Sequence, residues 1–466
     1  LDLRMGLTPD TGAALTINPD FSQVESDSTR VDLNQRFALW YPERRPFFLD
    51  GVDSFEDPAG TLYSRSIVEP IYGAKISGRE GRLAIGVLDA LDQSPSASVH
   101  EWGSPGFDED DVEQAWAQNR YLRMRLDAGQ GSAIGWTFAD KRLVRSPSGE
   151  PLEEAEDGDL PGRNQVLATD AEIPLGRRWT VAGQSSWTHT EGLGLGNSTT
   201  GVIGRASGIG TGFEAGASGL TEDYRKEMGF MNQSGGVAGW MEVDHTYEPE
   251  GSVDTITPRM AVSHIQGTEG SPHEGDLSQS LNLSSSVDLG VFGFYTNLVG
   301  SRVIEDSVEV PGWTSHTGMY GEFGANFSCH TGLARSRTLD WDLLVPADQW
   351  RSYLNLTLRP DARSRVEVHL DYERFTPEGE ISEQAMVVWS RLQRQLSREW
   401  GLRMIGEVAT GDAVDIPRMY GSGLVTWLSS PGTEAYIGVT QVVLLEDEPW
   451  VEELVLFTKV SWLFQG

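Results

Sequence analysis

The sequence predicts an all-β fold, a transmembrane antiparallel β-barrel of about 22 to 24 strands. Three observations carry this: apolar and polar residues alternate along most of the chain, the chain closes on an amphipathic aromatic strand, and tight turns alternate with long polar connections. In the closing stretch, Leu454, Leu456, Thr458, Val460, Trp462 and Phe464 share one face while Lys459 and Ser461 point the other way. A tilted strand of about 9 to 11 residues with an apolar outer face and interfacial aromatics is what a barrel needs to cross a bilayer.

The pattern recurs from end to end. Leu1, Leu3, Met5 and Leu7 alternate with Asp2, Arg4, Gly6 and Thr8. Val366, Val368, Leu370 and Tyr372 form an unbroken apolar row, and Arg365, Glu367, His369, Asp371 and Glu373 share the opposite face, which must therefore be wet. Trp350, Ser352, Leu354, Leu356 and Leu358 alternate in the same way with Arg351, Tyr353, Asn355 and Thr357. No stretch of about 18 apolar residues occurs, which excludes a helical membrane protein.

Composition agrees. Nothing divides the 466 residues into separate domains, so residues 1–466 read as a single barrel. Only 38% are hydrophobic, which suits a barrel whose wet lumen frees half of each strand from apolar side chains. The 53 glycines and 15 tryptophans fit many turns and aromatic belts. A net charge of -33 repels phosphates, so nucleic acid is not an expected partner. The acids cluster at 108–113, 150–156 and 446–448, in predicted loops that are either solvated or bind divalent cations. Cys329 is alone, so cysteine says nothing about compartment.

Turn chemistry marks tight connections at Pro9–Thr11, Arg79–Gly81, Asp127–Gly131, Leu175–Arg177, Pro249–Gly251, Pro360–Arg363, Ser397–Glu399 and Ser430–Gly432. Longer polar connections are expected near 20–68, 91–117, 140–163, 189–199, 220–235, 266–276, 303–316, 375–384, 409–421 and 443–453. With short turns on the periplasmic side and long loops outside, the hairpin parity leaves an odd strand. An upstream strand is therefore expected to meet the first one, and the start of the chain reads as processed or truncated.

One segment is unlike a barrel strand: Asn18-Pro-Asp-Phe-Ser-Gln-Val-Glu-Ser-Asp27, followed by Phe37-Ala-Leu-Trp-Tyr-Pro-Glu-Arg-Arg-Pro-Phe-Phe-Leu-Asp-Gly51. It resembles the signature of a bacterial outer-membrane β-barrel family of unknown function, with Tyr41, Arg44 and Asp50 as mild departures. The resemblance continues in Leu62–Arg65, Gly73–Gly78, Tyr224–Phe230 and Lys459–Phe464. It implies a Gram-negative outer-membrane location and an N-terminal module like family 9 carbohydrate-binding domains preceding residue 1. Outer-membrane lipid and lipopolysaccharide are then the surroundings, and that upstream module or other envelope proteins the expected partners.

The segment over 20–68 is too apolar in Phe37, Trp40, Tyr41, Phe47, Phe48 and Leu49 for a solvated loop and too charged for lipid, which leaves the lumen. Two readings stand. Glu43, Arg44, Arg45 and Asp50 project into the channel and constrict it, or the segment is a plug that braces the barrel through arginine–carboxylate pairs. In either, Phe47 and Phe48 anchor it to the wall.

No catalytic motif appears. The eight histidines are scattered without a zinc pattern, and the glycine runs at 192–196 and 208–212 read as turns and strands. No cofactor is expected, apart from calcium at Asp20, Glu25 and Asp27, whose spacing lacks the pattern of an EF-hand loop. The expected role is a channel or docking pore for solutes or exported polymers, not an enzyme. The alternatives are a plugged barrel acting as scaffold or secretion-complex component, and a surface glycan-binding or hydrolytic protein.

Overall fold

Alternation of apolar and polar side chains over ten or more residues permits little but a strand with one dry and one wet face, and the chain builds such strands almost throughout. The computed structural model describes residues 1–19, 29–37, 39–94, 115–145, 162–205, 208–231, 233–271, 274–412, 416–430, 433–445 and 450–461. Its 23 strands form one sheet.

In chain order these are β1 (Asp2–Gly6), β2 (Thr11–Ile17), β3 (Pro70–Glu80), β4 (Leu83–Asp92), β5 (Ala115–Gly129), β6 (Ser132–Arg145), β7 (Arg163–Leu175) and β8 (Trp179–Thr190). There follow β9 (Gly194–Arg205), β10 (Gly210–Leu220), β11 (Gly236–Thr246), β12 (Thr255–Gly267), β13 (Leu277–Asp288), β14 (Phe292–Glu305), β15 (Val308–Phe323) and β16 (Phe327–Leu339). The last are β17 (Pro346–Asp361), β18 (Ser364–Pro377), β19 (Glu383–Gln395), β20 (Trp400–Gly411), β21 (Arg418–Ser430), β22 (Thr433–Leu444) and β23 (Trp450–Ser461). Each pairs antiparallel with its successor. Among the described residues no ladder joins β1 to β23, and with an odd count these two strands run in the same direction.

Register fixes which side chains face inward. Glu305 of β14 meets Arg36 inside the sheet, so Tyr295, ten residues away and on the same face, also points inward. Its neighbours Phe294 and Leu298 point out and are exposed, as are Leu281 and Leu283 on β13 and Leu454 and Leu456 on β23. In water such an apolar outer band would be unfavourable; against lipid it is the stable arrangement. On β18 the row Val366, Val368, Leu370, Tyr372 faces out, and Glu367 and Glu373 on the inner face are buried.

Connections at one end of the sheet are mostly tight, although the turn expected at Pro249–Gly251 lies in an eight-residue connection over 247–254, and those at the other end are mostly longer. Two expected long connections are short. The strands continue through 189–199 and 303–316, leaving only a three-residue turn after Thr190 and a two-residue turn, Asp306 and Ser307, between β14 and β15. Both turn residues have positive φ (46° and 69°), the type I′ conformation whose twist matches a hairpin. The acidic clusters at 108–113, 150–156 and 446–448 and the residues Trp462 and Phe464 lie outside the described residues.

The apolar core sits inside the barrel, on one side. Phe47, Phe48 and Phe55 of the infolded segment, Ile67, and Met228 from the connection after β10 pack against Leu88, Ala90, Tyr121, Ala139 and Val166 on the inner faces of β4 to β7. The buried Phe, Ile and Met side chains each contribute on the order of 1.5 to 3 kcal/mol.

Candidate functional site: the barrel lumen

The segment between β2 and β3 crosses the interior, and the contacts it makes define its path. Thr29 donates its N–H to Glu407 Oε2 of β20 at 3.0 Å, and Arg418 of β21 donates to the Thr29 hydroxyl at 3.1 Å. Leu33 N–H meets Glu373 Oε1 of β18 at 3.3 Å, and Arg351 of β17 bridges Glu373 and Asp32 at 2.8 Å each. Asn34 donates to the Leu339 carbonyl at 2.8 Å and accepts from Trp341 N–H at 3.1 Å. Arg36 Nη2 donates to both carboxylate oxygens of Glu305 of β14, and the guanidinium lies 4.3 Å from the Trp341 ring centre. Three wall glutamates, on β14, β18 and β20, thus hold residues 29–36 across the loop end of β14 to β20.

The second half turns toward β3. Pro46 opens a single helical turn, α1 (Pro46–Leu49), because its fixed φ suits a first helical position. Gly51 then reverses the chain with φ 68°, and a Cβ there would collide with Ser77. The buried Lys75 of β3 donates to the Phe47 and Asp50 carbonyls, and Tyr121 of β5 donates to the Phe55 carbonyl at 2.7 Å.

The residues expected to line the channel divide. Arg45 is buried. It donates to Glu43 Oε1 at 2.9 Å and Oε2 at 2.7 Å, to the Ile67 carbonyl at 2.6 Å and the Ser64 carbonyl at 2.7 Å, and lies 4.3 Å from the Phe48 ring centre. Glu43 also accepts from the Ser64 hydroxyl and the backbone N–H groups of Arg44 and Arg45. Burial opposes its ionisation, but the Arg45 hydrogen bonds and charge together with Ser64 outweigh it and hold the carboxyl below the usual range. Phe47 and Phe48 are buried against the wall, Arg44 is half-buried, and Asp50 is exposed, 3.7 Å from Arg4 and 3.9 Å from Lys75. Asp20, Glu25 and Asp27 lie outside the described residues, and no cluster of three metal-ligating side chains occurs among the described residues.

The connection at 221–235, read from sequence as an external loop, folds inward onto this segment. Met228 accepts from Tyr63 N–H at 2.6 Å and from the Ser66 hydroxyl at 3.2 Å, Lys226 donates to the Ala59 carbonyl at 2.6 Å, and buried Tyr224 bonds Ser186 at 2.8 Å. Tyr224–Phe230 and Pro46–Ile67, far apart in the chain, therefore form one internal body.

The opposite wall carries side chains that inspection of the sequence leaves dispersed. Tyr295 (β14), His316 and Tyr320 (β15), His330 (β16) and Tyr353 (β17) face inward together. Tyr353 and His330 Nε2 are 3.0 Å apart, Tyr295 and His316 Nε2 3.3 Å, and the Tyr295 and Tyr353 hydroxyls are bonded to each other. Gly332 lies beneath, where a Cβ would strike the Tyr353 and Tyr295 rings. His369 and Trp389, centres 4.9 Å apart, extend this arc onto β18 and β19. The signal was available in the alternation: once one face of each strand is known to be dry, these residues fall on the other.

Residues 1–74 match a domain family of unknown function, DUF5916. No curated protein matches the chain. Among solved structures, the siderophore receptor PirA from Pseudomonas aeruginosa is similar at a TM-score of 0.50 and 8% identity, over 82% of this chain and 78% of that one. The FrpB iron transporter from Neisseria meningitidis gives 0.48 and 11%, over 80% and 75%. The outer membrane protein opdK from Pseudomonas aeruginosa gives 0.37 and 10%, over 65% and 91%. The chain has the fold of an outer-membrane β-barrel.

Proposed function

We propose that the protein is a channel through which solutes cross the outer membrane, narrowed by residues 29–66. The observation that carries this reading is the asymmetry of the interior. The apolar core of the infolded segment packs on the inner faces of β4 to β7, while on the inner faces of β14 to β17 Tyr295, His316, Tyr320 and Tyr353 are half-buried and His330 is exposed. Interior surface that stays wet along several adjacent strands is what a pathway requires.

A planar-bilayer recording on the purified full chain tests it. Stable conductance steps are expected, and Glu373→Gln with Glu407→Gln should make them larger or noisier, because each substitution weakens an anchor of the crossing segment. A silent membrane would favour the second reading, a plugged barrel acting as a scaffold, which the neutral brace of Glu43 and Arg45 inside the segment supports. Docking of an exported polymer shares the same wall and would appear as block of an open conductance.

A further inference from the structure

At the turn end of the barrel, below the aromatic arc, arginines from four connected strands and one turn come together. Arg359, Arg363, Arg365, Arg394 and Arg403 line a cavity of about 630 Å³ in which Asp361 is the one carboxylate among the lining residues. In a chain with 69 acidic and 36 basic residues, five arginines around one carboxylate are a local inversion of the charge balance. Arg359, Arg365 and Arg403 sit on the inward faces of β17, β18 and β20, as their register with Arg351, Glu367 and Glu407 requires. Arg365 donates to Glu367 Oε1 at 2.8 Å, and Arg391 of β19 donates to its Oε2 at 2.6 Å. Arg359, Arg363, Arg365 and Arg394 are exposed to water. Gln393 and Tyr436 add neutral hydrogen-bonding groups to the same cavity.

The opposite wall makes the contrast. A second cavity of about 630 Å³, beside the infolded segment, has Asp53, Glu56, Asp57, Asp170 and Glu172 against Arg123 and Arg125, and there Arg123 is tied to Asp170. Equal space carries opposite charge. Structural ion pairing explains the acidic cavity, where the arginines are outnumbered by carboxylates. In the basic one it accounts for Arg365, which holds Glu367, while Asp361 is the single lining carboxylate beside Arg359, Arg363 and Arg394.

We propose that the arginine-lined cavity binds solutes bearing several phosphate or carboxylate groups. Arginine forks donate in parallel to such oxyanions, and a cationic ring with water access concentrates them at the turn end of a pathway. The proposal rests on the channel reading for the route by which the solute arrives, but binding itself does not need conduction.

Titration calorimetry with sodium tripolyphosphate on the detergent-solubilised full chain tests it. Saturable binding that weakens with salt is expected, and Arg359→Gln/Arg363→Gln/Arg394→Gln should weaken it about tenfold or more. Arg125→Gln, on the acidic cavity, should leave it unchanged. These side chains are exposed, so the variants should fold; Arg359→Lys/Arg363→Lys/Arg394→Lys, retaining charge but not the fork, should fall between. Absence of binding to the unaltered chain, or equal affinity in the glutamine variant, overturns the site. Displacement of tripolyphosphate by phosphatidylglycerol would assign the arginines to a lipid headgroup and also overturn it. A protein that binds but does not conduct supports the site and removes the channel; one that conducts but does not bind does the reverse.

Discussion

The inner faces of β3 to β7 and of β14 to β19 are built from the same hairpin meander, yet one is covered and the other is wet. On the first, Leu88, Ala90, Tyr121, Ala139 and Val166 meet Phe47, Phe48, Phe55, Ile67 and Met228 in a cluster like the core of a soluble domain. On the second, ion pairs such as Arg351 with Glu373 and Arg391 with Glu367 hold the wall without burying it under apolar chain. The difference shows two ways of satisfying an inward face: supply a dry partner from the chain itself, or satisfy polar groups sideways within the wall and leave the centre to water. The same infolded segment uses both. Residues 29–36 attach to the wet wall by charge, and residues 45–67 attach to the dry wall by packing.

If that division is right, the largest effect should come from removing packing on the dry side. Phe48→Ala deletes a buried ring from the cluster and should lower stability by about 3 to 5 kcal/mol. Because the ring also anchors the segment, single-channel conductance should rise and fluctuate more. An unchanged melting transition in detergent would mean that the segment is not held by its core, and the comparison between the walls would break there.

The next effect concerns charge buried among those rings. Arg45→Ala would leave Glu43 buried without its main partner, a loss on the order of 3 to 5 kcal/mol, while Arg45→Met with Glu43→Gln should recover much of it. Paired melting curves measure both. Should the double variant be no better than the single one, the pair does not act as a unit, and Arg45 works through the Ile67 and Ser64 carbonyls alone.

Much of the wall was legible before its structure, because alternation on β18 separates Val366, Val368, Leu370 and Tyr372 from Glu367, His369, Asp371 and Glu373 with no knowledge of neighbours. The inward position of Phe47 and Phe48 was legible for another reason: a run both aromatic and charged has only one place to go in a barrel. What could not be read is what depends on register. Glu305, Glu373 and Glu407 become anchors only when strands far apart in sequence face the same segment, and the arginine cavity gathers residues from Arg359 to Arg403 across four strands. The extent of β9 was missed because Gly194–Arg205 is rich in Gly, Ser and Thr, and so has little apolar contrast to alternate. The inward fold of 221–235 was missed because Tyr224 and Met228 are too few to mark a buried segment by pattern alone.

The smallest expected effect lies at the junction of the two infolded pieces and turns on Lys226. Burial pushes its ammonium down to about 8, with the charge of Asp57 acting in the opposite direction but not overcoming it. In the unfolded chain a lysine titrates near about 10.4, so between the two values the unfolded state binds more protons than the folded one. Stability should therefore be lowest below about pH 8 and rise as pH increases through the window from about 8 to 10.4. Lys226 is half-buried and keeps its hydrogen bond to the Ala59 carbonyl, so residual solvent contact reduces the effect to a shift of about 1 to 2 °C in melting temperature between neutral and mildly alkaline buffer. Lys226→Met retains the stem and removes the titration, and should flatten that slope while leaving Phe48→Ala as damaging as before. A slope that survives in Lys226→Met would place the titrating group elsewhere and sever the electrostatic link between the 221–235 connection and the segment it covers.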